Sequence, residues 1–164
     1  MQLVLVLALI IALYARTNNY LYVIDDYVKR QFYPHPHPTP VEPVFYTTRP
    51  TWYYRAFMIA MHCVNTTIVY LLFGWAPALL FAVHPMGTWG TAWVTGNYYA
   101  TTTFFMLVSY YILHTFPSIW GGIAASVIFW GALNSTYDCL SFPFLYLFNG
   151  NPWGLILSVP LTIF

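Results

Sequence analysis

The sequence predicts an all-α integral membrane protein with about six to seven transmembrane segments and a proline-rich first loop outside the membrane. Three observations predict it. Of 164 residues, 60% are hydrophobic and only 5% are Asp, Glu, Lys or Arg, whereas a soluble domain carries about 25% charged residues. A surface so poor in charge is stable against hydrocarbon and not against water. The apolar residues also fall in long runs, as a bilayer-crossing helix requires. Aromatic residues reach 21%, with 15 Tyr and 7 Trp, and such rings favour the membrane–water boundary. The net charge of +1 offers no field for nucleic acid.

The elements follow in order. The first apolar segment runs over about residues 2–24, with Arg16 as its flaw. It lacks the basic start and small-residue cleavage site of a signal peptide, so it reads as a retained helix. Residues 25–50 form a polar loop whose Pro34, Pro36, Pro38, Pro40 and Pro43 exclude a regular helix over that part. The second segment covers about Trp52 to Phe73. The third is short, from about Trp75 to Val83, and stops at His84-Pro85. A fourth covers about Ala100 to Leu113. Pro117 then allows a turn before a fifth, about Ile119 to Leu133. A sixth covers about Leu140 to Phe148. A seventh starts at Trp153 and is still apolar at Phe164, so the reading expects a single module over residues 1–164, cut short at its C-terminus.

The few polar residues gather at the ends of these segments. If segments two and three leave one face and return, and four and five repeat this, then Asp25, Asp26, Arg49, His84, Asn97, Asn134 and Asp138 share one membrane face. Orientation is in conflict. Lys29, Arg30, Arg49 and Arg55 would draw the first loop to the cytoplasm. Basic residues that bind phosphate lose that value as markers.

Asp25-Asp26 is the sharpest feature, because adjacent carboxylates raise one another's pKa and suit a general base or a metal site. A plain helix-end pair at the water boundary fits the same pattern. Arg49, before Pro50, offers a planar fork of donors to a phosphate, or snorkels to the interface. His62 and Asn65 share a face of the second segment, with Arg55 on a similar face. They serve either a ligand or helix–helix hydrogen bonds. Gly87, Gly90 and Gly96 let the loop after His84 lie close to a ligand or another backbone. His35 and His37 alternate with prolines and make at most a weak metal pair. Cys63 and Cys139 stand singly and read as small apolar fillers.

Taken in order, these residues resemble a known family. Asn19-Tyr20 precede Asp25-Asp26, and an aromatic-Arg-Pro element lies within Tyr46 to Pro50. His62-x-x-Asn65 and Tyr70-Leu71-Leu72 follow, then Leu80-Phe81-Ala82-Val83-His84-Pro85, and Ala92-Trp93-Val94-Thr95-Gly96-Asn97. The chain is similar to the N-terminal part of GT-C fold membrane glycosyltransferases, in the branch of the transmembrane and tetratricopeptide-repeat O-mannosyltransferases. Family members often carry Arg and an acid after that last Gly, where this chain has Asn97-Tyr98-Tyr99. Many carry Ser-Lys-Glu where it has Ser135-Thr136-Tyr137, with Asp138 the nearby acid. These departures bear on donor-phosphate handling.

The resemblance implies a partial GT-C module. It would transfer a sugar, as a hexosyl- or mannosyltransferase does, from a polyprenyl-phosphate donor to a protein or glycan hydroxyl. The site would face away from the cytoplasm, at the plasma membrane or endoplasmic reticulum. Asp25 and Asp26 would be catalytic. Arg49, Arg55, His62, His84, Asn97 and Asp138 would hold substrate or phosphate. No cofactor is implied: the lipid-phosphate sugar is a substrate, and no metal ligand is assigned. Membrane lipid and other membrane subunits are the remaining expected partners. The rival expectation is a non-catalytic small subunit packed in a larger membrane complex.

Overall fold

The computed structural model describes residues 1–19, 51–84, 87, 97–133 and 153. The proline-rich loop and the sixth segment lie outside them, as does the seventh apart from Trp153. Among the described residues the fold is all-helical. The chain divides into two compact units, Met1–Thr101 and Thr102–Phe164.

In the first unit, α1 spans Gln2–Tyr14, and a 3-10 helix over Ala15–Asn19 follows it. The first segment is expected to run to about residue 24 with a flaw at Arg16; α geometry gives way to 3-10 after Tyr14, and residues 20–24 lie outside the described residues. The Thr17 hydroxyl donates to the Tyr14 carbonyl at 2.6 Å, a local bond that competes with the helix ladder. Val6, Ile10 and Tyr14, four residues apart, form the buried stripe of α1, while Val4, Leu5, Ile11 and Leu13 are exposed.

The second helix, α2, spans Thr51–Phe73 and starts directly after Pro50. Its buried stripe is Arg55, Met58, Ile59, His62, Asn65, Thr66 and Val69, which repeats at helical spacing. Its exposed residues include Trp52, Phe57, Val64, Leu71 and Phe73. Arg55, His62, Asn65 and Thr66 therefore point inward beside Met58, Ile59 and Val69, while large apolar groups face outward, unlike a helix on a water-soluble domain. Thr66 and Thr67 donate to the carbonyls of His62 and Cys63, four residues back, at 2.8 and 2.9 Å. That satisfies both hydroxyls within the helix.

Gly74 reverses the chain. Its φ of 85° lies in the left-handed region that favours glycine, and its N–H donates to Tyr70 O at 2.9 Å. The third helix, α3, then spans Trp75–Val83. Ala78 and Ala82, four residues apart and fully buried, let α3 lie close against its neighbours. It stops at His84, whose extended backbone (φ −62°, ψ 133°) is what a following proline requires.

The length of α3 corrects the crossing count. Nine residues cover only about 13 Å, against about 34 Å for the 23 of α2. His62, the middle residue of α2, reaches the Ala82 carbonyl near the end of α3. So α3 returns only half the length of α2, and His84 ends near mid-height.

The fourth helix, α4, spans Asn97–Thr115, and α5 spans Ile119–Leu133. In the second unit, Ser118 caps α5 by accepting from the Gly121 N–H at 3.2 Å. Gly121 sits against the Phe116 carbonyl, with no room for a β-carbon. Leu113, Ala125, Phe129, Ala132 and Leu133 form the core, with Phe105, Met106, Tyr110, Ile112 and Trp153 packed around it. The fully buried Ser109 shares its proton between Phe105 O at 2.8 Å and Ala125 O at 3.0 Å. The second bond ties α4 to α5.

One helix among the described residues, Arg55–Phe73, is long and apolar enough to cross a membrane. Residues Gln2–Thr17 and Ile119–Leu133 form shorter apolar helices. Six to seven full spans are therefore not what the described helices supply.

Candidate functional site

The polar residues of α2 converge with two neighbouring segments. His62 is 5% exposed. Its Nε2–H donates to Ala82 O over 3.2 Å, which fixes the proton on that nitrogen. Phe81 stacks on the ring at 5.3 Å between centroids, and Tyr14 meets it edge-on at 5.5 Å. The imidazole is thus held by α1, α2 and α3 together.

Gly87 closes the cluster. Its N–H donates to His84 O at 2.8 Å. A β-carbon at Gly87 would lie 3.1 Å from the Tyr14 hydroxyl oxygen and 3.2 Å from His62 Cε1. The close approach that glycine permits is used here against side chains of α1 and α2.

One turn along α2, Asn65 donates from Nδ2 to Ala100 O at 2.9 Å. This joins the inward face of α2 to the start of α4. Asn65 is 1% exposed, and its Oδ1 accepts no hydrogen bond among the described residues. Arg55 is completely buried, about 10 Å along α2 from His62 by helical rise. A cation at such a position is costly in hydrocarbon and marks a functional position by default.

His62, Asn65 and Arg55 thus lie on one buried stripe. His84 is at the end of α3 and exposed. Asn97 is the first residue of α4. Asp25, Asp26, Arg49 and Asp138 lie outside the described residues, as do the His35 and His37 pair. Among the described residues no group of three His, Cys, Asp or Glu stands ready for a metal.

Sequence reasoning passed over Tyr14 and the two accepting carbonyls, Ala82 and Ala100. Tyr14 had a faint signal, as a hydroxyl-bearing ring at the end of an apolar run. The carbonyls had none, because every residue carries one. Compared with protein-family models, with curated proteins and with solved structures, the chain matches none.

Proposed function

We propose that the chain is a multi-pass membrane module of the glycosyltransferase kind, which moves a sugar from a polyprenyl-phosphate donor to a hydroxyl acceptor. One observation carries the reading. Motifs far apart in sequence meet in space: His62 and Asn65 hold the end of the Leu80–Pro85 motif and the helix that follows Ala92–Asn97. That supports a single built region rather than scattered polar residues. Membrane residence is supported by the polar residues on the buried stripe of α2 and by its apolar length over Arg55–Phe73.

The chemistry assigned to this region is a direct displacement. The acceptor oxygen bonds to the anomeric carbon as the carbon–oxygen bond to the lipid phosphate breaks. Asp25 or Asp26 takes the acceptor proton. The phosphate leaves with the electron pair, and Arg49, Arg55 or His84 stabilises its growing charge. Without a separate nucleophile the anomeric carbon inverts; product NMR checks this, and retention would refute it. The deciding measurement is transfer from labelled polyprenyl-phosphate sugars by the reconstituted chain. Asp25→Asn or Asp26→Asn should lower transfer by about a hundredfold or more. Absence of wild-type transfer with every donor would defeat the enzyme reading.

A specific observation favours the second reading, a non-catalytic membrane subunit. Trp120, Ile123, Val127 and Trp130 on α5 all lie exposed. They recur at spacings of four and three, and such a seam packs against a helix as readily as against lipid. Co-purification of a stoichiometric membrane partner, with no transfer activity, would favour this reading.

A further inference from the structure

We propose that the outward face of α2 is covered by the acyl chains of a phospholipid bilayer whose two headgroup levels lie at Trp52 and Trp75. This rests on the membrane reading of the preceding section and not on sugar transfer. It fixes which lipid region each part of α2 meets.

Both ends of α2 carry exposed aromatic rings. Trp52 is exposed at the start and meets Tyr53 edge-on at 6.0 Å. Phe73 closes the helix and Trp75 follows across Gly74, and both are exposed. Tryptophan favours the headgroup level, where its ring is sheltered and its N–H is wet. From Trp52 to Phe73 the helix rises about 32 Å, and a hydrocarbon core is about 30 Å thick. A protein neighbour would not require the two rims to stand one hydrocarbon thickness apart, whereas a bilayer does.

What lies between the rims fits acyl chains. Phe57, Val64 and Leu71 recur every seven residues and are exposed, so they run along one side of the helix. Arg55 is the one charged residue between the two tryptophans in sequence, and it is fully buried. His62, Asn65 and Thr66 are buried too, and the Thr67 hydroxyl is satisfied by Cys63 O. With the slab so placed, His62 lies about 15 Å from Trp52, at the bilayer centre. Lipid offers it no acceptor there, and it finds one in Ala82 O.

Spin-label depth measurement tests the placement. The full chain, carrying Cys63→Ser and Cys139→Ser, is reconstituted in dioleoylphosphatidylcholine liposomes. A nitroxide is attached in turn to Trp52→Cys, Phe57→Cys, Val64→Cys, Leu71→Cys or Phe73→Cys, all exposed positions. Oxygen concentrates at the bilayer centre and a water-soluble nickel chelate stays outside. The ratio of oxygen to nickel access should peak at Val64, at least about tenfold above Trp52 and Phe73, with Phe57 above Leu71.

A maximum at Phe57 or Leu71 would overturn the placement and leave membrane residence standing. Equal nickel access at all five positions would defeat both. If neither reagent reaches Val64, protein covers this face and the lipid assignment is wrong. Should Trp52→Cys fail to insert, the order Val64, Phe57, Leu71 decides the matter, because those three variants keep both tryptophans. Sugar transfer is not a readout here, so failure of either proposal is seen separately.

Discussion

The two compact units have similar proportions of apolar residues, yet they join their helices differently. In Met1–Thr101 an apolar cluster of Val6, Ile10, Tyr14, Ile59 and Ala82 packs α1, α2 and α3 together, and nitrogen-bearing side chains add hydrogen bonds between the helices. His62 reaches α3 and Asn65 reaches the start of α4, while Arg55 lies buried on the same stripe. In Thr102–Phe164 the buried face of α5 is Gly121, Gly122, Ala125, Ser126, Phe129, Ala132 and Leu133. Small residues bring the backbones together, Phe129 fills the remaining space, and one serine hydroxyl adds a bond. In lipid there is no hydrophobic drive between helices, so both devices are needed: close packing and interhelical hydrogen bonds. The difference shows where chemistry is kept. The second unit's described core is packing, while the first carries polar groups beyond those that packing requires.

Three substitutions break or sharpen this contrast, read as unfolding midpoints on titrating denaturing detergent into mixed micelles. The largest effect is expected in the packed unit. Gly121→Ala drives a methyl into the Phe116 carbonyl. Backbone must shift, at a cost of about 3 kcal/mol, the upper end for overpacking. A loss below about 1 kcal/mol would mean the turn at Phe116–Ser118 yields easily. Next is His62→Leu, which removes the bond to Ala82 O and the contacts with Phe81 and Tyr14. The expected loss is about 1–2 kcal/mol. No change would leave His62 without a role in joining α1, α2 and α3. The smallest is Ser109→Ala. Its hydroxyl is shared between two carbonyls that keep other partners, so about 0.6 kcal/mol is expected. A loss matching that of His62→Leu would erase the contrast between the units.

Much of the local structure was legible in the chain. Pro50 before Thr51, Gly74 between Phe73 and Trp75, Pro85 after His84, and Pro117-Ser118 before Ile119 are where the helices begin and end. Each acts through its own backbone geometry, so neighbours in sequence suffice to predict it. The third and fifth segments were read with the same bounds that the structure gives, Trp75–Val83 and Ile119–Leu133. The first segment stays helical as far as Asn19, with 3-10 geometry from Ala15, and residues 20–24 lie outside the described residues. Arg16 marked the flaw, but the bond from Thr17 to the Tyr14 carbonyl does not show in an apolar run.

The candidate site was legible only as residue types. Arg55, His62 and Asn65 could be placed on one helix face, because 3.6-residue periodicity is a property of the segment alone. Whether that face met ligand or protein was undecided. The structure hydrogen-bonds His62 to Ala82 O and Asn65 to Ala100 O, and among the described residues Asn65 Oδ1 accepts no hydrogen bond.

The sequence by itself determined that the described part of this chain is helical and rich in lipid-compatible surface, and that helices stop at Phe73, Val83 and Leu133. Those are consequences of composition and of short-range sterics. Only the tertiary structure decided that α3 returns half the length of α2, that Gly87 fits beneath Tyr14 and His62, and that the partners of α2 are the carbonyls of Ala82 and Ala100. Those depend on the register between helices. Register is set by packing over distance, with small residues such as Ala78 and Ala82 allowing the approach, and the backbone oxygens involved look the same at every position of the sequence.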